Sequence, residues 1–92
     1  MKSNALKIDI KDNVAVAKQS LKKGEAVVVD GQRVLEVTED VAAGHKIALM
    51  AIPSGGVVVR YGEPIVQATR DIVEGEWVHV HNTRPIPGGA LG

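Results

Sequence analysis

Apolar and polar positions along this 92-residue chain follow one pattern that recurs four times: an apolar residue, two variable ones, a glycine, two more, then alternating apolar positions. The copies begin at Leu21, Val41, Ile52 and Ile72, and their glycines, Gly24, Gly44, Gly55 and Gly75, are spaced 20, 11 and 20 apart. In each copy an apolar side chain anchors the incoming strand, a glycine takes the positive φ of a tight turn, and a strand leaves with every second residue inward. Pro53 is expected at the second position of its turn. Val14, Ala17 and Ser20 precede Gly24 as Ile65, Ala68 and Asp71 precede Gly75. The pattern predicts a compact meander with internal pseudo-symmetry. It does not predict a solenoid, because the period alternates.

Punctuation predicts the remaining elements. Leu6 to Ile10 alternates as a strand does. Asp30-Gly31 is a tight-turn dipeptide and predicts a hairpin joining Val27–Val29 to Val34–Val37. Asp12 to Ser20 fits a strand or a helical turn, and Ile65 to Arg70 is equally open. Residues 1–83 read as one domain and residues 84–92, rich in proline and glycine, as a flexible tail.

Composition narrows the class. Fifteen valines and seven isoleucines stand against five leucines, one tryptophan, one tyrosine and no phenylalanine. β-branched side chains suit a pleated surface, so an all-β fold of short strands is expected. Cysteine is absent, which removes disulfides, thiolate metal sites and cysteine nucleophiles. Eleven basic residues balance eleven acidic ones, so no global field recruits nucleic acid or a membrane. Residues 1–23 carry six lysines against two aspartates, a mild asymmetry that a solvated face accounts for. No stretch has the apolar length of a signal or a membrane span, and a cytoplasmic location is the expectation.

The strongest local constellation is Trp77-Val78-His79-Val80-His81-Asn82. Read as a strand, it packs Val78 and Val80 on one face and aligns Trp77, His79 and His81 on the other. Two imidazoles so placed suit one metal ion, a carboxylate, or proton transfer near neutral pH; neutral filler on a solvated face is the bland alternative. His45 follows a turn glycine. Arg60-Tyr61-Gly62-Glu63 sets a guanidinium, which matches a carboxylate's geometry, beside a phenol; a surface Arg–Glu pair on a polar turn is the plainer reading. Phosphate-loop, dinucleotide-fold and nucleophile-elbow motifs are absent.

Taken together, Gly44-His45-Lys46, Arg60-Tyr61-Gly62-Glu63-Pro64 and Gly75-Glu76-Trp77-Val78-His79-Val80-His81-Asn82 resemble the small N-terminal SAF domain of altronate and galactarate dehydratases. They also resemble the small subunit of sulfolactate sulfo-lyase. The likeness covers residues 4 to about 83. It implies an SAF-type β-clip, bent β-ribbons folded over on themselves, within a metal-dependent hydro-lyase acting on sugar acids. It further implies a large dehydratase subunit as partner, since Met1 lies only a few residues before the domain and a separately encoded small subunit is expected. A homodimer is a further possible assembly.

By this resemblance His45, Tyr61, His79 and His81 are the candidate catalytic residues, and Lys46, Arg60 and Asn82 the candidate substrate-binding ones. His79 and His81 are candidate metal ligands, and a divalent metal, with iron the first candidate, is expected to be held mainly by the large subunit. The competing reading is a non-catalytic SAF-type binding or dimerisation module.

Overall fold

The computed structural model describes residues 1–87, so Gly88–Gly92, the end of the expected tail, lie outside the described residues. Nine short strands follow one another: β1 Ala5–Leu6, β2 Val14–Ala17, β3 Ala26–Val29, β4 Gln32–Glu36, β5 Lys46–Ala48, β6 Val57–Arg60, β7 Glu63–Ala68, β8 Trp77–Val78 and β9 Thr83–Arg84. All pairings are antiparallel. One sheet has the order β1-β2-β5-β8, β3 and β4 form a hairpin, and β6-β7-β9 form a third sheet. The described residues contain no α-helix, and the all-β expectation holds.

The four glycines occupy equivalent turns. Gly24, Gly44, Gly55 and Gly75 have φ of 89°, 85°, 85° and 88°. In each turn the following N–H donates to the carbonyl three residues back: Glu25 to Lys22, His45 to Ala42, Gly56 to Pro53, Glu76 to Val73. Pro53 therefore stands at the first position of its turn and Ser54 at the second, one place from where its ring geometry alone put it. The anchors meet in pairs, Leu21 with Val41 and Ile52 with Ile72, and all four are essentially fully buried. Burying each contributes about 1.5–3 kcal/mol, so the crossings hold the ribbons together.

These pairings reveal a duplicated unit with an offset of 31 residues, which carries Gly24 onto Gly55 and Gly44 onto Gly75. The same offset carries the β3–β4 hairpin onto β6–β7, including a bulge at Val27/Val28 and another at Val58/Val59. It carries the left-handed pair Asp30-Gly31 onto Tyr61-Gly62. Each hairpin is clasped alike from outside. The Asn4 amide donates to the Ala26 carbonyl while its oxygen accepts from Val28 N–H, and Asn13 does the same with Val57 and Val59. Ser3 Oγ accepts from Gly31 N–H, and Asp12 Oδ1 from Gly62 N–H.

Two apolar clusters result. One gathers Ala15, Leu21, Val27, Val37, Val41 and Ile47, the other Val14, Ile52, Val58, Ala68, Ile72 and Val78. Two expected strands are shorter than their alternation implied. Of Leu6–Ile10 only Leu6 is in a strand, because Asp12 Oδ2 accepts from the Ile8 and Asp9 N–H groups and bends the chain away, leaving Ile10 90 % exposed. The second is Trp77–Asn82, which leaves the sheet after Val78. At the far end β9 continues through Arg84, one residue past the expected domain limit.

Candidate functional site

The site grows from β5 and β8, neighbouring strands whose register sets Lys46 opposite Val78 and Ile47 opposite Trp77. His45 lies between the Gly44 turn and β5, its N–H donating to Ala42 and its carbonyl accepting from Ala17 N–H. Ile47 is buried, so the polar Lys46 beside it stays near the surface. Trp77 is anchored through its own N–H, which donates to Glu39 Oε2 at 3.2 Å.

Beyond Val78 the chain turns. Asn82 is fully buried and directs that turn: its Oδ1 accepts from His79 N–H at 2.9 Å, and its amide donates to the Trp77 carbonyl at 2.8 Å and to Glu76 Oε2 at 3.3 Å. Thr83 Oγ1 adds a bond to the His79 carbonyl at 2.8 Å. Val80, expected to pack with Val78, is 78 % exposed at the turn instead. Strand parity was the wrong reason for bringing Trp77, His79 and His81 together, yet the turn still brings them together. The His79 ring stacks on the indole at 5.2 Å with 13° between planes, and the His81 ring lies 4.7 Å from it. His45 completes the group, 5.5 Å from the indole and 4.9 Å from His79, and its Nδ1 accepts from Trp77 Nε1–H at 3.0 Å.

Two cations, Lys46 and Arg60, act on the same surface as the imidazoles. Lys46 has its pKa lowered, first by partial burial and then by the Arg60 guanidinium. His79 is lowered by loss of solvation, then by His45, Lys46 and His81. Arg60 ends β6, its guanidinium carbon 4.9 Å above the Tyr61 ring. Its Nε is enclosed without an acceptor among the described residues. Tyr61 stands half-exposed at the hairpin tip with φ 57°, and its ring meets Arg60 rather than an imidazole. The sequence-derived candidates thus form an imidazole group on Trp77 and a neighbouring guanidinium–phenol pair, with Lys46 electrostatically linking them. Asn82 lies beneath the turn with both polar atoms engaged, and it positions the histidines.

A metal fits these residues poorly. Among the described residues no three His, Asp or Glu side chains converge on one point. His79 and His81 could offer two imidazoles at most, amid cations that repel an ion. An anion suits the same surroundings. Two grooves of this surface run along β4 between Arg33 and Glu36 and beside the Lys7–Ile10 loop, and neither is lined by the imidazoles.

Sequence reasoning missed the indole–imidazole bond and the role of Asp12. Asp12 is buried, and burial alone would raise its pKa, but N–H groups of Gly62, Asp9, Tyr61 and Ile8 outweigh that and lower it. The available signal was the 31-residue offset, which aligns Ser3 and Asp12 by what they clasp only once the hairpins are known to be equivalent.

Comparison with known proteins identifies the family. The altronate/galactarate dehydratase SAF domain matches residues 3–85. The altronate dehydratase of Escherichia coli (strain K12) is 51 % identical over 79 residues, and that of Bacillus subtilis (strain 168) is 44 % identical over 79. Each alignment covers 86 % of this chain but 16 % of the relative, so the chain spans about a sixth of the length of these relatives. Its all-β fold, its paired glycine turns and its match over nearly the whole length place the chain in the altronate/galactarate dehydratase SAF domain family.

Proposed function

We propose that the chain is the small component of a two-part sugar-acid hydro-lyase and supplies one wall of a site that a large dehydratase subunit closes. The observation that carries this reading is the gathering of His45, His79 and His81 around the Trp77 indole, with the cations Lys46 and Arg60 acting on the same surface. A sugar acid brings a carboxylate, and removing the proton α to it develops further negative charge. Forked and imidazole donors stabilise that charge, most strongly once a partner excludes water. Loss of the β-hydroxyl then needs a proton, which an imidazole or the Tyr61 phenol can deliver. The substrate class follows the names of the relatives, altronate being the first to test. The metal implied by the resemblance is assigned to the large subunit, because no three His, Asp or Glu side chains converge among the described residues.

The test is reconstitution. The chain alone should not turn over altronate, and mixing it with a large subunit should restore or raise activity. His81→Ala, at an exposed position, should leave the fold within about 0.5 kcal/mol of wild type, and His79→Ala, at a half-buried one, should leave it folded, while both cut the activity of the assembly. A large subunit fully active by itself, or activity that survives the double change, would leave a non-catalytic module.

A further inference from the structure

Trp77 does more than support the imidazoles. Its indole nitrogen is a donor only, with no lone pair to offer. At 3.0 Å from Trp77 Nε1, His45 Nδ1 must therefore be the acceptor, and the proton of neutral His45 must sit on Nε2. That nitrogen has no partner among the described residues and is not enclosed. We infer that Trp77 is a positioning residue that fixes His45 in its Nε2–H form, making His45 a hydrogen-bond donor to a ligand oxygen rather than a base or a metal ligand.

The chemistry excludes the other two roles on separate grounds. A base needs a free lone pair, and the lone pair of His45 is already taken by the indole. A metal-bound imidazole almost always donates its second N–H to an oxygen acceptor. Here the second nitrogen faces a donor, the opposite polarity. An ion on Nε2 would push the ring proton to Nδ1, against the indole N–H; an ion on Nδ1 would break the indole bond outright. Proton acceptance is left to His79 and His81, whose rings meet Trp77 by stacking or tilted contact and donate to nothing among the described residues. The inference rests on the proposed function only for the nature of the ligand, an anionic oxygen compound, since the tautomer is a property of the chain itself.

The experiment uses the whole chain labelled with nitrogen-15, at about pH 8, where histidine is ordinarily neutral. Long-range proton–nitrogen correlations should show His45 protonated on Nε2, and a coupling across the hydrogen bond should link Trp77 Nε1 to His45 Nδ1. Zinc ion, added alone as a probe, should shift His79 and His81 far more than His45. In Trp77→Phe, His45 should lose its tautomer bias and join the zinc-responsive group, with zinc affinity rising about fivefold, the size expected from one hydrogen bond no longer opposing it. Nδ1–H on His45 in the wild type, a zinc response there equal to that of His79, or unchanged zinc affinity in Trp77→Phe would each overturn the assignment. If Trp77→Phe does not fold, the two wild-type measurements still decide. Because none of these readouts uses turnover, a failed reconstitution and a failed tautomer assignment are told apart.

Discussion

The first and second repeats share a backbone and differ in what they carry. Under the 31-residue offset Val14 becomes His45, Ala15 becomes Lys46, Val29 becomes Arg60 and Asp30 becomes Tyr61. Every candidate in the first half of the site thus stands where the other repeat has an apolar or turn-adapted residue. At the hairpin tips both residues take a positive φ, 51° for Asp30 and 57° for Tyr61. Aspartate visits that region readily, whereas a bulky side chain does so at a cost. The second tip accepts this cost, and Asp12 receives its N–H groups where the first tip has only the Ser3 hydroxyl. The comparison separates positions that make the fold, which are the same in both copies, from positions that carry chemistry, which are not.

The largest expected effect tests the fold positions. A Cβ at Gly75 would come within 2.3 Å of the Glu36 carbonyl oxygen, while at Gly44, the same turn in the other repeat, nothing lies within 4 Å. Gly44→Ala should cost about 1–2 kcal/mol for the left-handed backbone alone, and Gly75→Ala about 3 kcal/mol or more because backbone must also move. Urea unfolding of the two variants checks this, and equal costs would show that the two turns do not differ in their surroundings.

Next come the two clasps. Asp12→Asn should lose about 2–3 kcal/mol, since charge-assisted bonds go and an amide faces backbone donors, while Ser3→Ala should lose about 1 kcal/mol. Because the folded pKa of Asp12 lies below 3.8, its contribution is complete above that value and is lost as pH falls through the lower folded one. Acid unfolding should therefore be shallower in Asp12→Asn than in the wild type.

A smaller effect should have the opposite sign. Arg60→Val installs the residue of the first repeat and removes an enclosed donor without an acceptor, so thermal stability should rise by about 1 kcal/mol, while activity of the proposed two-part assembly should fall. The smallest concerns His79, whose folded pKa lies below 6.5. The unfolded chain then binds the proton more readily, so stability is complete above pH 6.5 and declines as pH drops toward the folded value. His79→Gln should remove that part of the slope, and the imidazole resonances should show His79 titrating below the usual range.

Much of the fold was legible because its signals are local. A glycine with two flanking apolar residues states a turn and its anchors without reference to the rest of the chain, and β-branched composition favours strand over helix. The 20, 11 and 20 spacing already contained the duplication, though the true unit emerged only when Leu21 met Val41 and Ile52 met Ile72. Strand ends were less legible. Asp12 bends the chain after Leu6 and Asn82 bends it after Val78, each through side-chain bonds to backbone N–H groups that apolar alternation does not encode.

For the site, the sequence by itself determined the candidates and their chemical character: three imidazoles, a guanidinium and a phenol, with no thiol. It grouped His79 and His81 with Trp77 by strand parity, whereas the turn that Asn82 directs is what brings their rings to the indole. Only the tertiary structure brought His45 to the indole, 32 residues away along the chain, and buried Asn82 beneath the turn. The reason is physical. A side chain's identity fixes what it can donate or accept, but which nitrogen is engaged depends on the register of β5 against β8, and that register is set by the packing of both repeats.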